Sequence, residues 1–221
     1  MIGRPDEAAL FPVGQDVPIR GVAVTQSGVH EDVAIVERAV REVVGSAVVL
    51  PLTELSAFRG YPLIEWTDGL DERLRIATGL ATGPMLDRAT LALWESWPSG
   101  VHCAPPPAPL RILGFASTAS WPHALRACRE LRGFGYTCVV TTTRPSSIRL
   151  AEADLGGVYV VEVSIDSEQM LVRGRPGGHA EPRMVATRYW EERLFAHGMR
   201  VGAVRSPRAA ATSGMVLLAR M

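Results

Sequence analysis

The stretch from Arg111 to Val163 constrains this chain more than any other. Apolar, β-branched runs alternate there with amphipathic segments, and glycines mark the short joins. Arg111–Ala116, Tyr136–Thr142 and Val158–Ser164 read as strands; Trp121–Leu131 and Ser147–Asp154 read as helices. A β-α-β-α-β order of this kind predicts three neighbouring strands with two helices packed on them. The fold class is therefore α/β, with a mixed central sheet and helices on both faces.

The flanks extend that unit. Residues 1–17 read as an irregular arm and 18–221 as a single domain. Ile19–Thr25 predict a strand and Gln26-Ser27-Gly28 a turn. Glu31–Val44 predict a helix with Val33, Val36, Val40, Val43 and Val44 on one face, ended by Gly45. Ala47–Leu52 predict a strand. Arg59–Trp66 fit a strand or a loop equally. Asp71–Thr78 read as helical, and Pro84 opens a further helix running to Trp97. Five prolines between Pro98 and Pro109 mark a linker or an ordered crossover. Gln169–Arg173 pair back on the last strand. A helix begins near Met184, and Arg200–Val204 with Gly214–Arg220 form a closing pair. No internal repeat is present.

Composition matters mainly through what it removes. The chain has no lysine and no asparagine, and all 23 basic residues are arginine. There is thus no Schiff-base lysine, no P-loop lysine and no Cys-His-Asn triad. Formal net charge is zero, which argues against a nucleic-acid partner and favours self-association, so a homo-oligomer is expected. The three cysteines, Cys103, Cys128 and Cys138, lack paired spacing, and the five histidines lack metal spacing, so no metal is expected. Cys128 and Cys138 read as core residues. No signal peptide and no run of ~18 apolar residues is visible. The expected compartment is the cytoplasm.

Four groups of residues carry the candidate chemistry. Ser117-Thr118-Ala119-Ser120, after the first strand of the central unit, lead into a helix whose free N–H groups suit an anion such as pyrophosphate; Ser120 also fits as a plain helix cap. Arg126, Arg129 and Arg132 recur on that helix, and Arg144 and Arg149 follow the next strand. They fit a cofactor phosphate, an acidic carrier protein or a solvated face. His123 stands in the first helical turn beside the anion site. Glu65, between Ile64 and Trp66, is the carboxylate best placed for a raised pKa and general-base work. Tyr189, Trp190 and Phe195 read as packing aromatics.

Four stretches, in order, resemble the thermostable-hemolysin family, a branch of the GNAT N-acetyltransferase fold. They are Ile19–Gly28 with the helix ending at Gly45 and the following Val49-Leu50-Pro51; Tyr61-Pro62-Leu63-Ile64-Glu65 before Leu70-Asp71; Leu113–Ala119 with its helix to Gly135-Tyr136; and Val139–Thr143 with the helix to Leu155-Gly156. The GNAT pyrophosphate loop, Arg/Gln-x-x-Gly-x-Gly/Ala, has no counterpart between Phe115 and His123. The polar Glu and Asn beside the GNAT central strand are likewise missing from Leu113–Ala119.

The resemblance implies an acyltransferase that moves an acyl group from acyl-CoA, or from the phosphopantetheine of an acyl-carrier protein, to a small-molecule amine or hydroxyl. Ala116–Ser120, with Arg126, Arg129 and Arg144, would bind the donor. Its pantetheine would enter a gap between Ile112–Ala116 and Val139–Thr142, and Glu65 or His123 would serve as base. The alternative is a scaffold that keeps the fold without the catalysis.

Overall fold

Valines at helical spacing build the first helix. In the computed structural model of the protein, which describes residues 26–67, 83–97, 105–177 and 184–203, α1 spans Gln26–Val44. Val36, Ala39 and Val40 are buried against the sheet, with Val33, Val43 and Val44 half-buried beside them. Gly45, at φ +78°, stops the helix. α1 starts at Gln26, so the turn expected at Gln26-Ser27-Gly28 is helical instead. Single-residue propensity does not hold out against the helix that follows.

The strands run β1 (Val48–Val49), β2 (Thr53–Leu55), β3 (Phe58–Trp66), β4 (Leu110–Ser117), β5 (Tyr136–Thr141), β6 (Tyr159–Val163) and β7 (Glu168–Val172). The sheet order is β1-β3-β4-β5-β6-β7, with β2 also on β3. β4, β5 and β6 are parallel; the other pairs are antiparallel. This is a mixed α/β fold, and Val139 does stand opposite Val160. The strand expected over Ala47–Leu52 is cut to two residues. Pro51 brings no N–H, and Leu50 instead donates to Pro62 O at 3.0 Å.

The two parallel crossovers are α3 (Trp121–Glu130), finished by a 3-10 turn to Phe134, and α4 (Ser147–Gly156). α1 covers one face of the sheet. The opposite face buries Ala124, Ala127 and Cys128 of α3, Ala153 of α4 and Leu194 of α5 (Val185–Arg200) together with Ile112, Phe115, Val139 and Val160. β4 changes phase midway. Leu63 stands opposite Gly114 and Ile64 opposite Ile112, so Leu113 is an extra residue, a β-bulge.

The segment beyond β3 is fastened to α5. α2 (Arg88–Glu95) is capped by Asp87, whose carboxylate accepts from Thr90 N at 2.8 Å; Pro84 lies ahead of the helix, not in its first turn. Arg188, buried on α5, donates to Pro106 O at 2.8 Å and Pro107 O at 3.0 Å and pairs with Glu192 at 3.0 Å. Glu192 in turn accepts from Met85 N at 3.0 Å. The described part of the Pro-rich segment is therefore an ordered crossover. Arg200, expected to open a strand, is the last residue of α5. The expected arm over 1–17, the strand Ile19–Thr25, the helix Asp71–Thr78 and the strand Gly214–Arg220 lie outside the described residues.

His197 ties α5 to the start of the sheet. Arg200 donates to its Nδ1 at 3.1 Å, so Nε2 carries the proton and donates to Pro51 O at 3.2 Å. Burial lowers its pKa below the ordinary 6.5, against the hydrogen bond to Pro51 and with the help of Arg200. Because the folded pKa is depressed, the unfolded chain takes up the proton first on acidification. This part of the stability is present above pH 6.5 and is lost as pH falls below it. Urea midpoints should drop between neutral pH and about pH 5.5, and His197→Gln should remove part of that drop.

Candidate functional site

The carboxyl ends of parallel strands are where α/β sheets collect ligands, and here β4 and β5 each deliver the chain into a helix. At the end of β4, Ser117 is buried and its hydroxyl accepts from Ala119 N at 3.3 Å. Thr118, Ala119 and Ser120 are exposed. Ser120 stands at the N-cap of α3, yet its hydroxyl makes no backbone cap; it bonds His123 Nδ1 at 2.8 Å. The first intrahelical bond is Ala124 N to Ser120 O, so the Trp121 and His123 amides open the helix without intrahelical partners. Ser146 likewise heads α4 without a side-chain cap.

Beside this loop, a groove of about 420 Å³ runs between α3 and α4, lined by Trp121, Pro122, Leu125, Arg126, Arg129, Glu130 and Glu152. Arg129 donates to Glu152 O at 2.9 Å, Trp121 Nε1 donates to the Glu152 carboxylate at 3.3 Å, and Arg149 lies over the Trp121 ring at 5.9 Å. Arg126 and Arg129 thus share a groove next to the Thr118–Ser120 loop and His123.

Other expected members are elsewhere. Arg144 turns to the far edge of the sheet, with Glu162 at 3.6 Å and Gln169 at 3.2 Å. Ala116 stands between Tyr61 of β3 and Cys138 of β5, so its backbone belongs to the sheet and not to a ligand. The expected gap between the central strands is closed as well. The β4–β5 ladder holds from Gly114↔Tyr136 to Ser117↔Val139, the last residue of β4.

Glu65 lacks the burial expected of it. It is exposed, because successive strand residues face opposite ways and the burial of Ile64 turns Glu65 away from that core. It also stands opposite Arg111. Six residues of strand separate Arg111 from Ser117, roughly 20 Å at the ordinary rise. A carboxylate there does not reach a substrate held at Thr118–Ser120.

Tyr61 is the residue that sequence reasoning passed over. It lies in the same stretch as Glu65 and on the same face, but nearer the start of β3, across from Ala116. It is 2% exposed, and its phenol bonds to the Thr118 side chain. Burial raises its pKa above the ordinary 10.0, Asp32 of α1 adds to the rise, and the Thr118 bond and Arg59 oppose it. Tyr61 therefore keeps its proton at neutral pH. Alternation with Leu63 was the available signal. Among the described residues the two cysteines offer no nucleophile, since burial raises Cys128 well above its usual range and pushes Cys138 up to about 12; Cys103 lies outside them.

Among the described residues no His, Cys, Asp and Glu cluster suits a metal, and no helix is long and apolar enough to cross a membrane. No protein-family model, no curated protein and no solved structure matches the chain.

Proposed function

We propose that the chain is a GNAT-like acyltransferase that takes an acyl group from acyl-CoA or from a phosphopantetheine-linked carrier and passes it to a small amine or hydroxyl, in the cytoplasm. One observation carries the reading. The exposed Thr118–Ser120 loop opens α3 with uncapped amides, Arg126 and Arg129 stand on the same helix, and a buried phenol lies against Thr118. The helix-start amides suit the thioester carbonyl oxygen, and Arg126 and Arg129, farther along α3, suit the donor's phosphates. The bulge at Leu113 is of the kind that re-aims strands next to active sites.

In this scheme His123, held by Ser120, takes the proton from the attacking amine. The nitrogen bonds the acyl carbon and the carbon–sulfur bond breaks. Tyr61, through the Thr118 hydroxyl, gives a proton to the departing thiolate. Holding donor and acceptor together supplies much of the rate. Tyr61→Phe keeps the ring and removes the proton. It should lower transfer by ~10²-fold, while the unfolding free energy falls by only about 1 kcal/mol for the lost hydrogen bond.

The closed β4–β5 ladder favours a second reading, a scaffold that binds without catalysis. Two measurements separate them. Coenzyme A at 100 times its dissociation constant should stabilise the protein by ~2.7 kcal/mol in thermal shift. Release of free thiol from a series of acyl-CoAs in the presence of amines should then exceed the rate without protein. Binding without thiol release would support the scaffold. Neither binding nor release would remove the acyltransferase.

A further inference from the structure

We infer that the acceptor is a zwitterion, an α-amino acid, whose ammonium meets Asp32 of α1 and whose carboxylate meets Arg59 of β3. This rests on the acyltransferase reading and narrows its acceptor.

The first observation is where the fold brings these two residues. Tyr61 packs with Val36 and Ala39 on the face of the sheet that α1 covers. Asp32 stands one turn before Val36 and so belongs to the same side of the helix. Arg59 and Tyr61 alternate onto one face of β3. The register that sets Tyr61 opposite Ala116 brings Arg59 level with Thr118. Three separate elements thus place Asp32, Arg59 and Thr118 around one buried phenol. Burial is the larger influence on that phenol, but Asp32 also raises its pKa, and Thr118 and Arg59 lower it.

The second observation is charge left unanswered. Asp32 and Arg59 are both exposed, and neither has an ion pair among the described residues. Glu54 stands opposite Arg59 on β2, and no ion pair joins the two. Opposite charges that flank a polar floor without closing on each other suit a small ligand that carries both signs. A plain amine would leave Arg59 unanswered, and a plain alcohol would leave both. An α-amino acid answers both. It also sets its nitrogen beside the loop of Thr118, which opens the helix that carries His123.

Titration calorimetry with the common α-amino acids, each up to about 10 mM and with coenzyme A present, tests the assignment. At least one should bind the parent chain. Its methyl ester keeps the ammonium and its N-acetyl form keeps the carboxylate; each should bind about tenfold or more weakly than the amino acid. Arg59→Gln should weaken the amino acid by about tenfold and leave the ester's affinity as it was, whereas Asp32→Asn should weaken both. A parent that binds none of the amino acids would overturn the assignment. So would an amino acid that binds the parent and both variants alike, or an ester that binds as tightly as its acid. Transfer from acyl-CoA to simple amines without amino-acid binding would remove the amino-acid site and keep the acyltransferase. Amino-acid binding that is lost in both variants, without transfer from any acyl-CoA, would keep the site and remove the acyltransferase.

Discussion

Glu192→Ala should cost the protein about 3–5 kcal/mol, because it breaks a buried ion pair. The side chains of Arg188 and Glu192 are 4% and 0% exposed. Together they hold three separate pieces of chain: α5, the Met85 amide ahead of α2, and the Pro106 and Pro107 carbonyls. Removing the carboxylate leaves the Met85 N–H without that acceptor and Arg188 charged in a site that excludes water. The loss should appear as a lower urea midpoint with a nearly unchanged slope. The double change Arg188→Met with Glu192→Leu should recover much of it, since a buried pair replaced by apolar groups of similar volume no longer pays for desolvation. A single change that unfolds at the parent's midpoint would show that the pair contributes nothing.

Gly114→Ala should be the most damaging small substitution in the sheet. A Cβ at Gly114 would stand 2.0 Å from Tyr136 O and 2.8 Å from Tyr136 C, both backbone atoms. No side chain can swing aside to make room, so β4 and β5 must part where their parallel ladder begins. The overpacking cost is roughly 3 kcal/mol, and it falls on the pair that leads to Thr118–Ser120. Thermal unfolding should move down by several degrees. Leu113→Ala, beside it in the bulge and only half-buried, should cost much less.

The central unit was legible because its strands are covered on both faces and therefore read as continuous Val-rich runs, while the intervening helices keep a 3.6-residue period. The valine stripe of α1 was legible for the same reason, from Val33 to Val44. β3 was ambiguous because it holds Gly60 and Pro62. Pro62 is tolerated because its imide nitrogen faces Leu50, where β1 has already ended. The bulge at Leu113 has no sequence signature, so the phase change that sends both Ile112 and Phe115 into one core is visible only in the register. At the site, the helix start and the pairing of Arg126 with Arg129 followed from local spacing. Glu65 misled because apolar neighbours in sequence do not bury a strand residue; they share the opposite face. Tyr61 was missed because its partners, Thr118 and Asp32, belong to other elements. Arg188 and Glu192 show helical spacing, but their burial depends on carbonyls more than eighty residues away.

The placement of α1 sets the order in which the molecule can assemble. Its buried face rests on Cys138, Val140, Val161 and Val163, and Arg38 reaches Glu168 and the carbonyls of Ser164 and Ile165 in the turn between β6 and β7. Those partners leave the ribosome more than ninety residues after the helix does. Until then the valine stripe has only the nearer part of its native surface, Val49, Tyr61 and Leu63, and an isolated helix of this length is marginal in water. Loop closure over such separations makes folding slow and late. The chain is therefore expected to gain protease resistance only once β7 has emerged, with α1 docking as a closing step of folding and not as its seed.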